Sequence, residues 1–164
     1  MILVTVGMQL PFDRLIQTVD DWARQHPDTE VIAQTGQLRS GQYKPRHMPH
    51  MPGFAPAEFD ALCRRADLII AHAGTGSLIA AHAACTPLLM MPRRARLGEH
   101  RNDHQIAMAD SLKHRLGVHL VYEEADLHAE IDRLLENPVT PPQLHAFAED
   151  NLITAIRQVI FDRP

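Results

Sequence analysis

The amino-acid sequence predicts an α/β fold: a single doubly wound, Rossmann-like parallel sheet of about six strands. Three observations carry this. Short apolar runs alternate with segments of helical periodicity along almost the whole chain, and such alternation gives a parallel sheet with right-handed crossovers. The apolar runs are continuous rather than alternating, as in strands covered on both faces. The 164 residues, 45% hydrophobic but only 5% aromatic, suit one domain (1–164) of ordinary size around an aliphatic core.

Residues 2–6 (I-L-V-T-V) end at Gly7 and read as the first strand. Pro11 opens a helix in which Phe12, Leu15, Ile16, Val19 and Ala23 repeat on one face. Residues 30–34 form a second strand. Residues 35–53, rich in Gly, Pro, His and basic side chains, are irregular, with a short third strand near His50. Pro56 suits the first turn of a helix that carries Phe59, Leu62, Cys63 and Ala66 on its apolar face. Residues 67–71 (D-L-I-I-A) are the clearest strand and run into H-A-G-T-G-S, with a helix continuing to about Ala84. Residues 87–91 form a fifth strand. The basic loop 93–98 leads into a helix expected over about 100–114, and residues 118–122 form the sixth strand. Helical patterns follow at about 125–136 and 143–161. The second has a broad apolar stripe that includes Leu144, Phe147 and Leu152.

The bulk properties exclude several classes. A formal charge of -4 gives no electrostatic reason to expect nucleic acid as a partner. The N-terminus has neither the basic region nor the cleavage site of a signal peptide. No apolar run approaches the ~20 residues of a membrane span, so a cytoplasmic protein is expected. Two cysteines, Cys63 and Cys85, make no disulfide framework and are expected as buried free thiols.

A doubly wound sheet binds ligands at the carboxyl ends of its strands, near the switch in strand order. The informative loops are therefore those after strands one, four and five. Gly74 and Gly76 permit close backbone approach, and Thr75 and Ser77 start a helix whose first N–H groups lack internal partners. An anion fits there; a capped tight turn is the plain alternative. The motif is neither a Walker A loop nor the full G-x-G-x-x-G pattern. In the segment E-H-R-N-D-H-Q, helical spacing would place His100, Asp103 and His104 on one face, able to hold sugar or ribose hydroxyls. A zinc site on Glu99, His100 and His104 is weaker, because the Glu precedes the first His. Arg93, Arg94, Arg96 and Arg101 form a basic cluster whose forks suit a diphosphate or simply a solvated surface. The loop at Gly7 and Met8 is another strand-to-helix turn able to face a phosphate.

Taken together, V-T-V-G, P-F-D-R-L-I, F-x-P-x-E-F-D-x-L, A-D-L-I-I-A-H-A-G-T-G-S, P-L-L-M-M-P-R and E-H-R-N-D-H-Q resemble the C-terminal domain of glycosyltransferase family 28. The likeness covers about residues 1–136. It extends to the family's stand-alone members: small subunits of two-component bacterial exopolysaccharide glycosyltransferases, and the catalytic subunit of the eukaryotic dolichol-linked N-acetylglucosaminyltransferase. The resemblance implies the C-terminal, donor-binding half of a GT-B enzyme, inverting transfer from a UDP-sugar, and neither metal nor cofactor. It implies that the loop at Gly7 and Met8 and the turn of Gly74, Thr75, Gly76 and Ser77 face the diphosphate; Arg93, from the basic cluster, is expected among the donor-binding residues. His72 would reach donor oxygens. Glu99, Asn102, Asp103, His104 and Gln105 would lie near the sugar or ribose, and Phe54 near the uracil. His72, Glu99 and His104 are candidate catalytic groups, with the general base expected on a partner. Two positions depart from the family pattern: Ala80 stands where many relatives carry a ribose-gripping Glu, and Met8 where many carry Thr. The expected function is the donor-binding subunit of a glycosyltransferase that serves a lipid-linked acceptor in polysaccharide biosynthesis. A membrane-associated, acceptor-binding subunit would hold it peripherally at the inner face of the membrane. A non-catalytic nucleotide-sugar-sensing domain on the same fold is the alternative.

Overall fold

The computed structural model describes residues 1–8 and 10–142; Gln9 and the helix expected at about 143–161 lie outside the described residues. The elements are β1 (Ile2–Thr5), α1 (Asp13–Gln25), β2 (Val31–Gln34), β3 (His50–Met51), α2 (Pro56–Arg65), β4 (Leu68–His72), α3 (Thr75–Ala84), β5 (Leu88–Met91), α4 (His104–Leu112), β6 (Val118–Leu120) and α5 (Glu124–Glu136). The six strands make one parallel sheet in the order β3-β2-β1-β4-β5-β6. The chain winds outward from β1 in one direction and from β4 in the other. A crevice therefore opens between their carboxyl ends, as it does in doubly wound sheets generally.

Side chains alternate across the sheet with period two. Ile2, Val4, Leu68, Ile70, Leu89 and Met91 face α1 and α5, where Leu15, Val19, Trp22, Leu127 and Ile131 complete one core layer. Leu3, Ile69, Ala71, Leu88 and Met90 face the other way, against Cys63, Ala81 and Ala109 of α2, α3 and α4. All residues of β1 and β5 are buried.

The β2–β3 connection contains no helix, and a buried carboxylate holds it. Asp20 of α1 has no solvent exposure. Its oxygens accept the Tyr43 hydroxyl at 2.7 Å, the Arg46 amide at 2.9 Å and the His47 amide at 2.8 Å. Burial by itself would raise this carboxyl's pKa, but the donors from Arg46, Tyr43 and His47 outweigh it and hold the group below its ordinary range.

Two local expectations are corrected. The helix expected from about residue 100 begins only at His104. Residues Ala95–Leu97 form a 3-10 turn that stops at Gly98, where φ is 71°, and the Asp103 carboxylate closes the loop by accepting the Ala95 amide at 2.8 Å. His100 and Asp103 thus do not share a helix face with His104. Cys85 is not a buried thiol: it is half-buried and ends α3 in a left-handed conformation, φ 54°. Cys63 is buried, and desolvation raises its thiol pKa to about 11. Among the described residues, no helix is long and apolar enough to cross a membrane.

Asp20→Ala leaves two backbone amides and a tyrosine hydroxyl without their acceptor. It is expected to destabilise the fold by about 2–4 kcal/mol, measured by urea denaturation at pH 7. Because the Asp20 pKa is depressed, its contribution is present above the unfolded carboxylate pKa and fades as pH falls below that value. A difference between variant and parent that stays constant down to pH 2 would contradict this account.

Candidate functional site

A cleft of about 660 Å³ occupies the crevice at the carboxyl ends of β1, β4 and β5. The loops after these strands line it, together with Gln34 at the end of β2 and Phe54, Pro56 and Phe59 around the start of α2.

His72, the last residue of β4, sits at the centre. Its ring lies in a slot between two glycines. A Cβ on Gly7, where φ is 76°, would stand 3.1 Å from His72 Cε1, and a Cβ on Gly74 would collide with His72 Nε2. Any side chain at either position displaces the imidazole. His72 Nδ1 is buried without a hydrogen-bond partner among the described residues. Burial, reinforced by the positive charge of Arg93 and by His100, pushes the imidazole pKa down to about 4. His72 is therefore neutral at physiological pH.

Gly74 is also the N-cap of α3 and supplies no side-chain cap, so the first N–H groups of this ten-residue helix open toward the cleft. Gly76 is exposed in that first turn, and a Cβ there would meet nothing within 4 Å. Thr75 and Ser77 line the same wall. On the β1 side, Thr5 donates to Gln34 Oε1 at 2.6 Å, and Gln34 Nε2 reaches Met8 Sδ at 3.2 Å. The Met8 side chain is otherwise 71% exposed.

The segment after β5 divides. Gln105 is buried in the cleft wall, where its Oε1 accepts the Arg93 amide at 3.1 Å. His100 also lines the cleft; its Nδ1 lacks a partner among the described residues, and its ring meets that of His104 edge-on at 4.4 Å. His104 itself is exposed and bonds Asn102 at 2.5 Å. Asp103 is occupied by the Ala95 amide. Glu99 points out of the cleft: Arg14 donates to it through Nε at 2.7 Å and Nη2 at 3.0 Å, and the Arg94 amide at 2.8 Å. The Arg93 guanidinium is turned into the protein. It donates to the carbonyls of Val6 at 2.9 Å, Leu10 at 2.7 Å and Pro11, over the Phe12 ring at 4.6 Å. Burial lowers its pKa to about 10, so it remains charged at neutral pH.

The structure thus brings Gly7, Met8, Phe54, His72, Gly74, Thr75, Gly76, Ser77, Arg93 and Gln105 to one cleft, and sets Glu99, Asn102, Asp103 and His104 outside its lining. Gln34 is a cleft residue that sequence reasoning missed, and His100, expected on a helix face with Asp103 and His104, reaches the cleft from the loop before α4 instead. Among the described residues lining the cleft there is no Asp or Glu, and no cluster of three His, Cys, Asp or Glu is placed to hold a metal ion.

The family model "Glycosyltransferase family 28 C-terminal domain" matches residues 1–155. The UDP-N-acetylglucosamine transferase subunit ALG13 of Cryptococcus neoformans var. neoformans serotype D is 31% identical over 107 residues, which are 64% of this chain and 50% of that one. The match therefore spans half the length of that relative. Among solved structures, the glycotransferase of kitacinnamycin has a TM-score of 0.65 at 19% identity, covering 84% of this chain and 35% of that one. The NMR solution structure of ALG13 has a TM-score of 0.57 at 18% identity, covering 94% and 93%. At these identities the structural likenesses establish the fold alone.

The buried imidazole makes the fold acid-sensitive. With a pKa of about 4 in the folded state against 6.5 for a free imidazole, the unfolded chain takes up the proton first. Stability is full above pH 6.5 and falls by about 3 kcal/mol as pH drops toward 4. His119, depressed by burial and by Arg133, adds to the same slope. Denaturation at pH 7 and at pH 4.5 is expected to show this loss, and His72→Gln to reduce it. An unchanged slope in His72→Gln would remove His72 as its origin.

Proposed function

The chain belongs to the glycosyltransferase family 28 C-terminal domain family, and on that footing we propose that its cleft binds the UDP-sugar donor of an inverting glycosyltransferase, the acceptor site being supplied by a separate membrane-associated subunit. One observation carries the reading. An uncapped helix N-terminus and two glycine turns open on a cleft whose described lining carries no carboxylate, which suits a diphosphate. The apolar end at Phe54, Pro56 and Phe59 is suited to a base. Helix and backbone dipoles offset the diphosphate charge, so no metal or other cofactor is needed.

Proton chemistry supports a partner. A general base works best with a pKa near the operating pH. His72 is too weak a base, and Glu99 is committed to Arg14 outside the cleft. Neither residue suits the role, which supports a general base carried by the acceptor-binding subunit. The relative named as a transferase subunit supports this division. A lipid-linked acceptor, and a place at the inner face of the membrane in polysaccharide assembly, go with the same reading. Ala80 favours a second one. It packs against the core layer on that side of the sheet, and a domain that senses nucleotide sugars without turning them over can do without the ribose-gripping Glu.

Calorimetry is expected to show UDP binding in preference to ADP, unchanged by chelator. Gly76→Ala discriminates between a site and a mere turn. Among the described residues its Cβ meets nothing within 4 Å outside its own helix, and the change removes a helix glycine, so stability should hold or rise by about 0.5–1 kcal/mol, while UDP affinity falls at least tenfold. Gly74→Ala is less informative, because it also displaces His72. No UDP binding up to millimolar concentration, or equal binding in Gly76→Ala, counts against the proposal. The purified chain with UDP-sugar and lipid-linked acceptor should show no transfer. Robust turnover by the chain alone overturns the two-subunit reading, whereas UDP binding with no turnover even beside the acceptor subunit favours sensing.

A further inference from the structure

Resting on that donor reading, we infer that Arg93 is a positioning residue: it does not touch the diphosphate but fixes the β1–α1 loop in the conformation that receives it. Its guanidinium is 2% exposed and gathers carbonyls from a single loop, those of Val6, Leu10 and Pro11, with Glu99 O at 3.5 Å on the other side. Carbonyl oxygens facing the cleft would repel an anion, and Arg93 draws these away. A trans peptide carries its C=O and N–H on opposite sides. Turning the Val6 carbonyl to Arg93 therefore turns the Gly7 amide the other way, toward the Thr5 hydroxyl on the cleft wall, at a long 3.3 Å. That donor is weakly held and can be shared with a ligand. The Arg93 backbone amide meanwhile holds Gln105 in the opposite wall. One residue thus sets two sides of the site, and a planar fork spanning several acceptors is something lysine cannot reproduce.

Arg93→Lys keeps the charge and loses the fork. In the ligand-free protein, amide hydrogen exchange at Val6 and Gly7, whose amides donate to Gln34 O and Thr5 Oγ1, is expected to accelerate at least tenfold, with Ile69 and Ile70 of β4 unchanged. UDP affinity is expected to fall at least tenfold, while uridine, which has no phosphate, binds within twofold of the parent. Unchanged loop exchange overturns the inference. So does retained UDP affinity, which would mean that the charge alone suffices. Parallel losses of UDP and uridine binding would also overturn it, since they indicate a merely structural role. If the parent itself fails to bind UDP, the donor reading is at fault, and the exchange measurement still decides whether Arg93 holds the loop. Should Arg93→Lys not fold, Phe12→Leu removes the ring beneath the guanidinium and carries the same measurements, with a threefold change expected in exchange and in UDP affinity.

Discussion

A parallel sheet covered on both faces leaves no room for polar chemistry along its strands, and that constraint organises this molecule. The strands from Ile2 to Thr5 and from Leu88 to Met91 are buried throughout. Polar groups are pushed to the strand ends, where backbone donors and acceptors emerge unpaired. Because β1 and β4 are neighbours whose onward connections diverge, their ends are not covered by the same crossover. The cleft follows from the topology before any side chain is considered.

Within that cleft, charge is handled indirectly. The Arg93 charge lies behind the β1–α1 loop, solvated by carbonyls rather than water, and it contributes to keeping His72 neutral. A second layer braces the arrangement. Arg14 of α1 bonds Glu99 and the carbonyls of Pro92 and Tyr122. Arg94 bonds Tyr122 O and, at 2.6 Å, Glu123. These partly buried pairs connect α1, the loop after β5 and the start of α5. They hold surfaces in register more than they add to stability, because desolvating such charges offsets much of their attraction.

The order and kind of the elements were legible in the sequence, because strands buried on both faces read as unbroken apolar runs and helices as a 3.6 period. The glycine turns at Gly7 and Gly74 were legible for the same local reason. What the sequence hid was set by distant partners. Glu99 and Arg14 lie 85 positions apart, so a glutamate in a polar, site-like segment gave no sign that its carboxylate faces away. Arg93 sits in a run of arginines that looks like surface, and only the fold shows its fork turned inward. The late start of α4 depends on one side-chain bond, Asp103 to the Ala95 amide, which periodicity does not register. Gln34 could have been found: it is a polar residue at a strand's carboxyl end, and the strand-end argument was applied to the first, fourth and fifth strands but not to the second.

The departures at Met8 and Ala80 take on a physical meaning from this geometry. On the donor-binding reading, recognition of the diphosphate comes chiefly from main-chain N–H groups at Gly7 and in the first turn of α3. These are donors that every residue type other than proline supplies. What the sequence must preserve is then the absence of a Cβ at Gly7, Gly74 and Gly76 and the groups that hold the loops: Arg93 for β1–α1 and Gln105 for the opposite wall. Side chains pointing into the cleft are freer to change. Met8 can stand where a hydroxyl would otherwise donate, because its sulfur rests on the Gln34 amide and Gly53 while the amide of the same turn stays where Arg93 puts it. Ala80 lies on the second turn of α3, one turn beyond the N–H groups, so on the same reading its identity would bear on how a ribose is gripped and not on whether the anion is held. On this reading a backbone-built site would tolerate changes in the side chains around it, and its anion affinity would depend instead on the residues that hold the backbone in place.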